Sequence, residues 1–286
     1  MNKSTTAFDF SFSHQASGFS LIELLVTMVV SSMIILGASS LYFDTLTSYH
    51  DKRIRSEADE LARTILDTIA YDIRNAGSGV PDVQAFQMGT GGIGSLAYPV
   101  LSTSTSATII IQFSESGKYT VNTKDETPSA GAWSMDVIDS SLFAANDLVS
   151  ISGLSTGIEF GLRGQLSSAE DNTLTFAAGS LYSTGAVFKD GSMVYKVVVQ
   201  TFNSPVDWSG ITINQGLGAA VIAPNTTFLA SYLDRDDATV VLSDRKVETT
   251  LAKIELTVYA RGAATLTDGS VYTAWAKQKV GIPHLI

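Results

Sequence analysis

Gly18-Phe19-Ser20-Leu21-Ile22-Glu23-Leu24-Leu25 opens an apolar run that continues to Phe43. Of the 25 residues from Phe19 to Phe43, 17 are apolar or aromatic, and Glu23 alone is charged at neutral pH. A helix needs about 20 such residues to cross a bilayer, so this segment is long enough to span one. A carboxylate inside it is costly unless it meets a partner, which makes Glu23 a functional residue by default.

Past Phe43 the apolar pattern thins without stopping. Ile54, Ala58, Leu61, Ile65, Ile69 and Ile73 follow at steps of three or four, which is helical spacing. Lys52, Arg53, Arg55, Glu57, Asp59, Glu60, Arg63, Asp67 and Asp72 fill the positions between them, so one stripe is apolar and the rest is solvated. No proline occurs before Pro81. The pattern predicts one helix over 19–76, about 87 Å long at the usual rise. Its first part, 19–43, is the transmembrane half, and 44–76 is an amphipathic half that packs one face on a globular head. Gly77-Ser78-Gly79-Val80-Pro81 supplies the stop, with glycine for the cap and proline beyond it. Gly37, with Ser31, Ser32, Ser39 and Ser40 nearby, has two readings: ordinary small residues of a membrane span, or a point where the stem bends or melts.

From Val80 onward, short β-branched runs alternate with Gly, Ser, Asn and Asp. The expected strands are Thr108–Phe113, Tyr119–Asn122, Leu148–Ser152, Thr173–Phe176, Met193–Phe202, Thr239–Leu242, Ile254–Ala260 and Val271–Val280. Asp190-Gly191 and Asp268-Gly269 read as hairpin turns. The fold class is therefore α+β, a long N-terminal helix packed on a mostly antiparallel β head spanning 77–286.

The string Gly18-Phe19-Ser20-Leu21-Ile22-Glu23 resembles the class III leader of type IV pilins and type II secretion pseudopilins: Gly, then Phe, then Glu at the fifth mature position. The resemblance implies that 1–18 is a leader, cut after Gly18 by a prepilin peptidase, with N-methylation of Phe19. It implies a structural role for Glu23, whose carboxylate would neutralise the α-amino group of Phe19 on a neighbouring subunit in a filament. The alternative for Glu23 is a side chain that snorkels to the interface. Tyr71-Asp72-Ile73-Arg74-Asn75-Ala76-Gly77 is similar to the end of the stem helix in large minor pilins of the W type and in J-type pseudopilins. That similarity implies a subunit that primes or caps assembly at a filament tip, and a single-pass anchor in a bacterial inner membrane with the head outside the cytoplasm. The implied partners are other major and minor pilins or pseudopilins, the prepilin peptidase and an inner-membrane assembly platform.

The chain has 286 residues, no cysteine and a formal charge of −10. The absence of cysteine removes disulfides, thiolate nucleophiles and zinc–thiolate sites. An acidic surface repels phosphate backbones, so nucleic acid is an unlikely partner. Residues 77–286 carry 12 basic and 19 acidic side chains, and no cofactor is implied.

Several strings mimic catalytic or binding motifs in the wrong setting. Gly89-Thr90-Gly91-Gly92-Ile93-Gly94 matches a dinucleotide fingerprint, but Pro99 closes off the helix that motif requires. Gly153-Leu154-Ser155-Thr156-Gly157 matches a nucleophile elbow, but extended chain follows it, so a hairpin turn explains the glycines better. The histidines are His14, His50 and His284, leaving His284 as the sole base for a hydrolase. A non-enzymatic protein is expected. Asp234, Asp236 and Asp237 form the densest acidic cluster and are weak calcium candidates, since they lack the glycine and distal Glu of an EF-hand. Trp133, Trp208 and Trp275 suit core packing by default, or adhesion if exposed.

Overall fold

The computed structural model describes residues 20–78, 104–127, 132–155, 158–177, 187–215, 218–240 and 251–282. Helix α1 runs from Leu21 to Asn75 and is followed, among the described residues, by eleven strands. The chain divides into two compact units, Met1–Lys52 and Arg53–Ile286.

In the first unit α1 exposes large apolar side chains from Leu21 to Tyr49. Among the described residues it is the one helix long and apolar enough to cross a membrane. Gly37 lies within the continuous helix, and a Cβ placed on it would meet nothing within 4 Å. Hydroxyls inside the apolar stretch fold back onto it: Thr27 Oγ1 donates to Leu24 O at 2.9 Å, and Ser32 Oγ to Val29 O at 2.8 Å. Such bonds leave no hydroxyl proton for the lipid to satisfy.

In the second unit α1 turns amphipathic. Ile54, Ala58, Ala62, Ile65, Leu66, Ile69, Ala70 and Ile73 are buried. The expected stripe is thus present, with Leu61 only partly buried and Ala62, Leu66 and Ala70 added beside it. The helix ends as expected at glycine. Gly77 adopts a φ of 84°, a left-handed conformation that a Cβ would penalise. Its amide donates to Gln112 O at 2.7 Å, and Ser114 N donates to Ser78 O at 2.7 Å, so the helix terminus is spliced directly onto a strand.

The strands are β1 (Thr108–Val121), β2 (Trp133–Asp136), β3 (Leu148–Ser155), β4 (Ile158–Glu170), β5 (Thr173–Phe176), β6 (Met193–Asn203), β7 (Ile211–Asn214), β8 (Ala219–Ala223), β9 (Thr226–Leu233), β10 (Lys253–Arg261) and β11 (Thr273–Gly281). All pairings are antiparallel. One eight-stranded sheet has the order β2-β5-β4-β3-β6-β7-β8, with β1 also paired to β6; the other has the order β11-β10-β9. Strand β6 is the spine of the larger sheet. It pairs with β1 along nearly its whole length, and on its other side with β3 over Met193–Val197 and with β7 over Thr201–Asn203.

Two main cores result. In the first, Ile65, Ile69 and Ile73 of α1 pack with Ile109 of β1, Phe202 of β6 and Phe228 of β9 among others. The second contains no residue of α1 and is built from strands and their connections. There Trp133 stacks on Phe176 at a centroid distance of 4.7 Å. A third, smaller cluster joins Ala58 and Ala62 of α1 to Ala260 and Ala274. Ala260 and Ala274 are direct cross-strand partners, so four methyl groups form a shallow seam that lets the helix lie close to β10 and β11.

Several strand expectations need correction. Tyr119–Val121 is not separate but is the end of β1, which continues through an irregularity between Ser114 and Tyr119, and Asn122 makes an isolated bridge to Val137. Of Thr239–Leu242, Thr239 makes only an isolated bridge to Leu233, Val240 is not in a strand, and the rest lies outside the described residues. Asp190-Gly191 does form a turn, with Gly191 at a φ of 87°, but it leads into β6 from the isolated bridge at Phe188. Asp268-Gly269 lies in the β10–β11 connection as expected. The dinucleotide-like string at 89–94 lies outside the described residues.

Candidate functional site

The start of α1 is where the sequence concentrates its functional signals. Gly18 and Phe19, the expected processing pair, lie outside the described residues. Ser20 is the first described residue and caps the helix. Ile22 N donates to Ser20 Oγ at 3.3 Å, Leu24 N donates to Ser20 O at 3.1 Å, and Ser20 N donates back to Glu23 Oε2 at 3.1 Å. This reciprocal pattern is a capping box, in which Ser at the cap and Glu three residues on satisfy two backbone donors that the helix cannot. A carboxylate in the first turn also meets the positive end of the helix dipole.

Glu23 therefore has a partner within its own subunit. Its carboxylate is held on the Ser20 amide and retains a second oxygen for another donor. Chemically, the arrangement offers a fixed anion at the tip of an apolar rod, suited to a cation arriving at the same depth. Leu21, Ile22, Leu24, Leu25, Met28 and further apolar side chains as far as Tyr49 are exposed around it, Leu21 at 80%. So much contiguous apolar surface calls for lipid or for apolar neighbours.

The acidic cluster serves other ends. Asp234 Oδ1 accepts amides from Asp236 at 2.9 Å and Ala238 at 2.8 Å, which shapes a turn. The Asp237 carboxylate bridges Lys253 at 3.0 Å and Lys279 at 2.9 Å. The Lys279 hydrogen bond and then that of Lys253 hold it below the usual carboxylate range. Among the described residues, no three His, Asp or Glu side chains are grouped to hold a metal ion.

Gly153 and Ser155 of the elbow-like string lie in β3, and Ser155 pairs with Ile158 of β4. A strand-to-strand hairpin thus replaces the strand-to-helix turn that an elbow needs. His50 is on α1, and its Nδ1 lies 3.9 Å from Asp51; His14 and His284 lie outside the described residues.

The tryptophans divide. Trp133 is core, as the default reading has it. Trp275 instead is 66% exposed, and Trp208 is partly exposed. Trp208 sits at a φ of 63°, and the Arg261 guanidinium lies 3.9 Å from its ring centroid.

A profile of the prokaryotic N-terminal methylation motif matches residues 13–39, and this span holds Gly18, Phe19 and Glu23. No curated protein matches the chain. The matched motif and the exposed apolar helix that follows it support a type IV pilin-like protein with an inner-membrane anchor.

Proposed function

We propose that the chain is a minor pilin, a structural subunit that primes or caps assembly of a type IV pilus. The observation that carries this reading is the register of three features. The methylation motif ends in an apolar helix, Glu23 stands in the first turn of that helix, and the same helix continues to Asn75 as a wall of the head's main core. Cleavage at Gly18 would leave a free amine on Phe19, and the Glu23 carboxylate of an adjacent subunit is the complementary charge in a low-dielectric setting.

The leader is 1–18, the membrane half of the stem 19–43, the amphipathic half 44–76 and the head 77–286. The head has about 210 residues, more than the usual domain, which fits a subunit present in few copies better than a repeating one. Priming needs only membrane helices and head contacts, and no catalytic group enters the account. A J-like pseudopilin of a type II secretion system shares the same physics and differs in its partners. A tip adhesin is the third reading, favoured by the exposed Trp275.

Counting subunits tests the proposal. Deleting the chain is expected to reduce surface filaments sharply, and quantitative mass spectrometry of sheared filaments is expected to find it far below the major subunit. Normal filament numbers in the deletion strain, or abundance equal to the major subunit, would contradict it.

A further inference from the structure

Strand β11 ends the three-stranded sheet, and its ladder shows which of its backbone groups point outward. Gly262 N donates to Tyr272 O at 2.9 Å, and Ile282 N to Ala252 O at 3.0 Å. Between these two pairs the β10–β11 register is unbroken. In an antiparallel ladder, hydrogen-bonded pairs alternate with non-bonded ones. The even-numbered residues of β11 therefore bond to β10. Thr273, Trp275, Lys277, Lys279 and Gly281 turn their N–H and C=O groups to the open edge, where none has a partner among the described residues.

An edge of this length is a template for another strand unless something guards it. Lysines are the usual guards, yet here they reach back over their own sheet. Lys277 Nζ lies 2.8 Å from Glu255 Oε1, and Lys279 Nζ lies 2.9 Å from Asp237 Oδ2. The same outward face presents Trp275 opposite Tyr259, with Arg261 two residues along and Trp208 on its guanidinium. Trp, Tyr and Arg are the residues on which binding energy concentrates at interfaces.

Charge selects the occupant. Lys253, Arg261, Lys277 and Lys279 are four of the 12 basic residues of a head with 19 acidic ones, and against them on this face stand two acids, Glu255 of β10 and Asp237, so the face keeps an excess of positive charge. Arg261 has no acidic partner among the described residues. A second copy of the chain would bring further lysines to the seam, where like charges on adjacent strands destabilise. We propose that the open edge of β11 receives an extended, acidic segment of a different polypeptide, which adds a fourth strand to the sheet and packs against Trp275. Backbone bonds then supply affinity, and the side chains along the edge supply selectivity. This inference is independent of which pilus or secretion system the chain serves.

The test uses the full chain in detergent and synthetic peptides about ten residues long, enough to span the strand. One alternates Glu with Val, a second replaces Glu by Lys, and a third is the acidic peptide N-methylated at alternate amides, in both phases. Binding is read by fluorescence anisotropy. The acidic peptide is expected to bind, the basic peptide at least about tenfold more weakly, and the N-methylated peptide not at all in the phase that removes the peptide's own N–H donors to the β11 carbonyls. Trp275→Ala is expected to weaken binding about tenfold, in the range of an interface anchor. Lys277→Pro is expected to abolish it while leaving the melting temperature nearly unchanged, because the lost N–H faces away from β10. Absence of acidic-peptide binding, equal binding of all the peptides, or a concentration-dependent dimer of the chain that Lys277→Pro dissolves would overturn the proposal.

Discussion

At the scale of single residues, Glu23 has two tasks that substitution can separate. It closes the capping box on Ser20, and in the proposed function it also supplies charge to a neighbour. Glutamine serves a capping box as glutamate does, so Glu23→Gln is expected to keep the first turn while removing the charge. Both Glu23→Gln and Glu23→Ala are expected to lose filament incorporation, but only Glu23→Ala is expected to speed amide exchange at Leu21–Leu24 in micelles. Normal incorporation of Glu23→Gln would count against the charge-pairing role. The pattern Ser20-x-x-Glu23 was there in the sequence to announce the cap, but the apolar run around it draws attention to membrane insertion first.

Asp72 is a second residue with a sign to its behaviour. Burial pushes its carboxyl above the usual range, and the hydrogen bond from Gln200 Nε2 at 2.7 Å pulls the other way. A group whose folded pKa is raised contributes stability that is fully present below its unfolded pKa and is lost as pH rises through the folded value. At neutral pH the ionised Asp72 is therefore a cost, and Asp72→Asn keeps an oxygen for Gln200. The variant is expected to melt higher than the parent at pH 7, with the gap closing near pH 3; a lower melting temperature at pH 7 would show that the charge is stabilising. Asp237 has the opposite sign. Its lysine partners depress its pKa, so its contribution is present above the ordinary carboxylate pKa and fades as pH falls through the depressed value. Its exposure keeps that contribution small.

At the scale of elements, the helix was legible because its signal is chemical: large apolar side chains at steps of three and four. Ala62 and Ala70 escape that reading, since alanine is common on solvated helix faces, and only the partner surface shows why they must be small. Ala62 meets Ala260 and Ala274, and a Cβ on Gly262 would come within 2.5 Å of Ile54 Cγ2. Ala62→Leu and Gly262→Ala are each expected to lower stability by about 1–3 kcal/mol, the usual cost of overpacking, read as a lower melting temperature. No loss in either would mean the seam is loose. Among strands, β5 was found at its full length, and β6 and β10 to within a residue at their ends, because β-branched residues alternate or cluster there. Of β4, Ile158–Glu170, the sequence shows the extended start at 158–162; Gly164, Ser167 and Ser168 give the rest the composition of a loop, and pairing to β3 and β5 makes it a strand. The open edge of β11 was invisible for a different reason: which strand lies at the end of a sheet is a property of the topology, not of any local run.

At the scale of the whole molecule, the acidic cluster takes its surroundings from elements distant in sequence. Asp234, Asp236 and Asp237 are near in sequence, but Asp234 is engaged by backbone amides and Asp237 by two lysines from β10 and β11. Titrating the chain with calcium is expected to give no heat and no change in melting temperature; a saturable signal would return the cluster to consideration. The chain's organisation follows instead from one helix with two environments. The first unit exposes many large apolar side chains, while the second buries an amphipathic stripe in the core of a β-rich head. In the proposed function the leader is removed and the apolar segment is kept. The decisive measurement is therefore intact-protein and N-terminal peptide mass spectrometry of the chain from cells with and without a prepilin peptidase. The mature chain is expected to begin with N-methylated Phe19 when the peptidase is present and to keep an uncleaved leader when it is not. A mature terminus beyond the apolar run, or cleavage at Gly18 that persists without the peptidase, would contradict it.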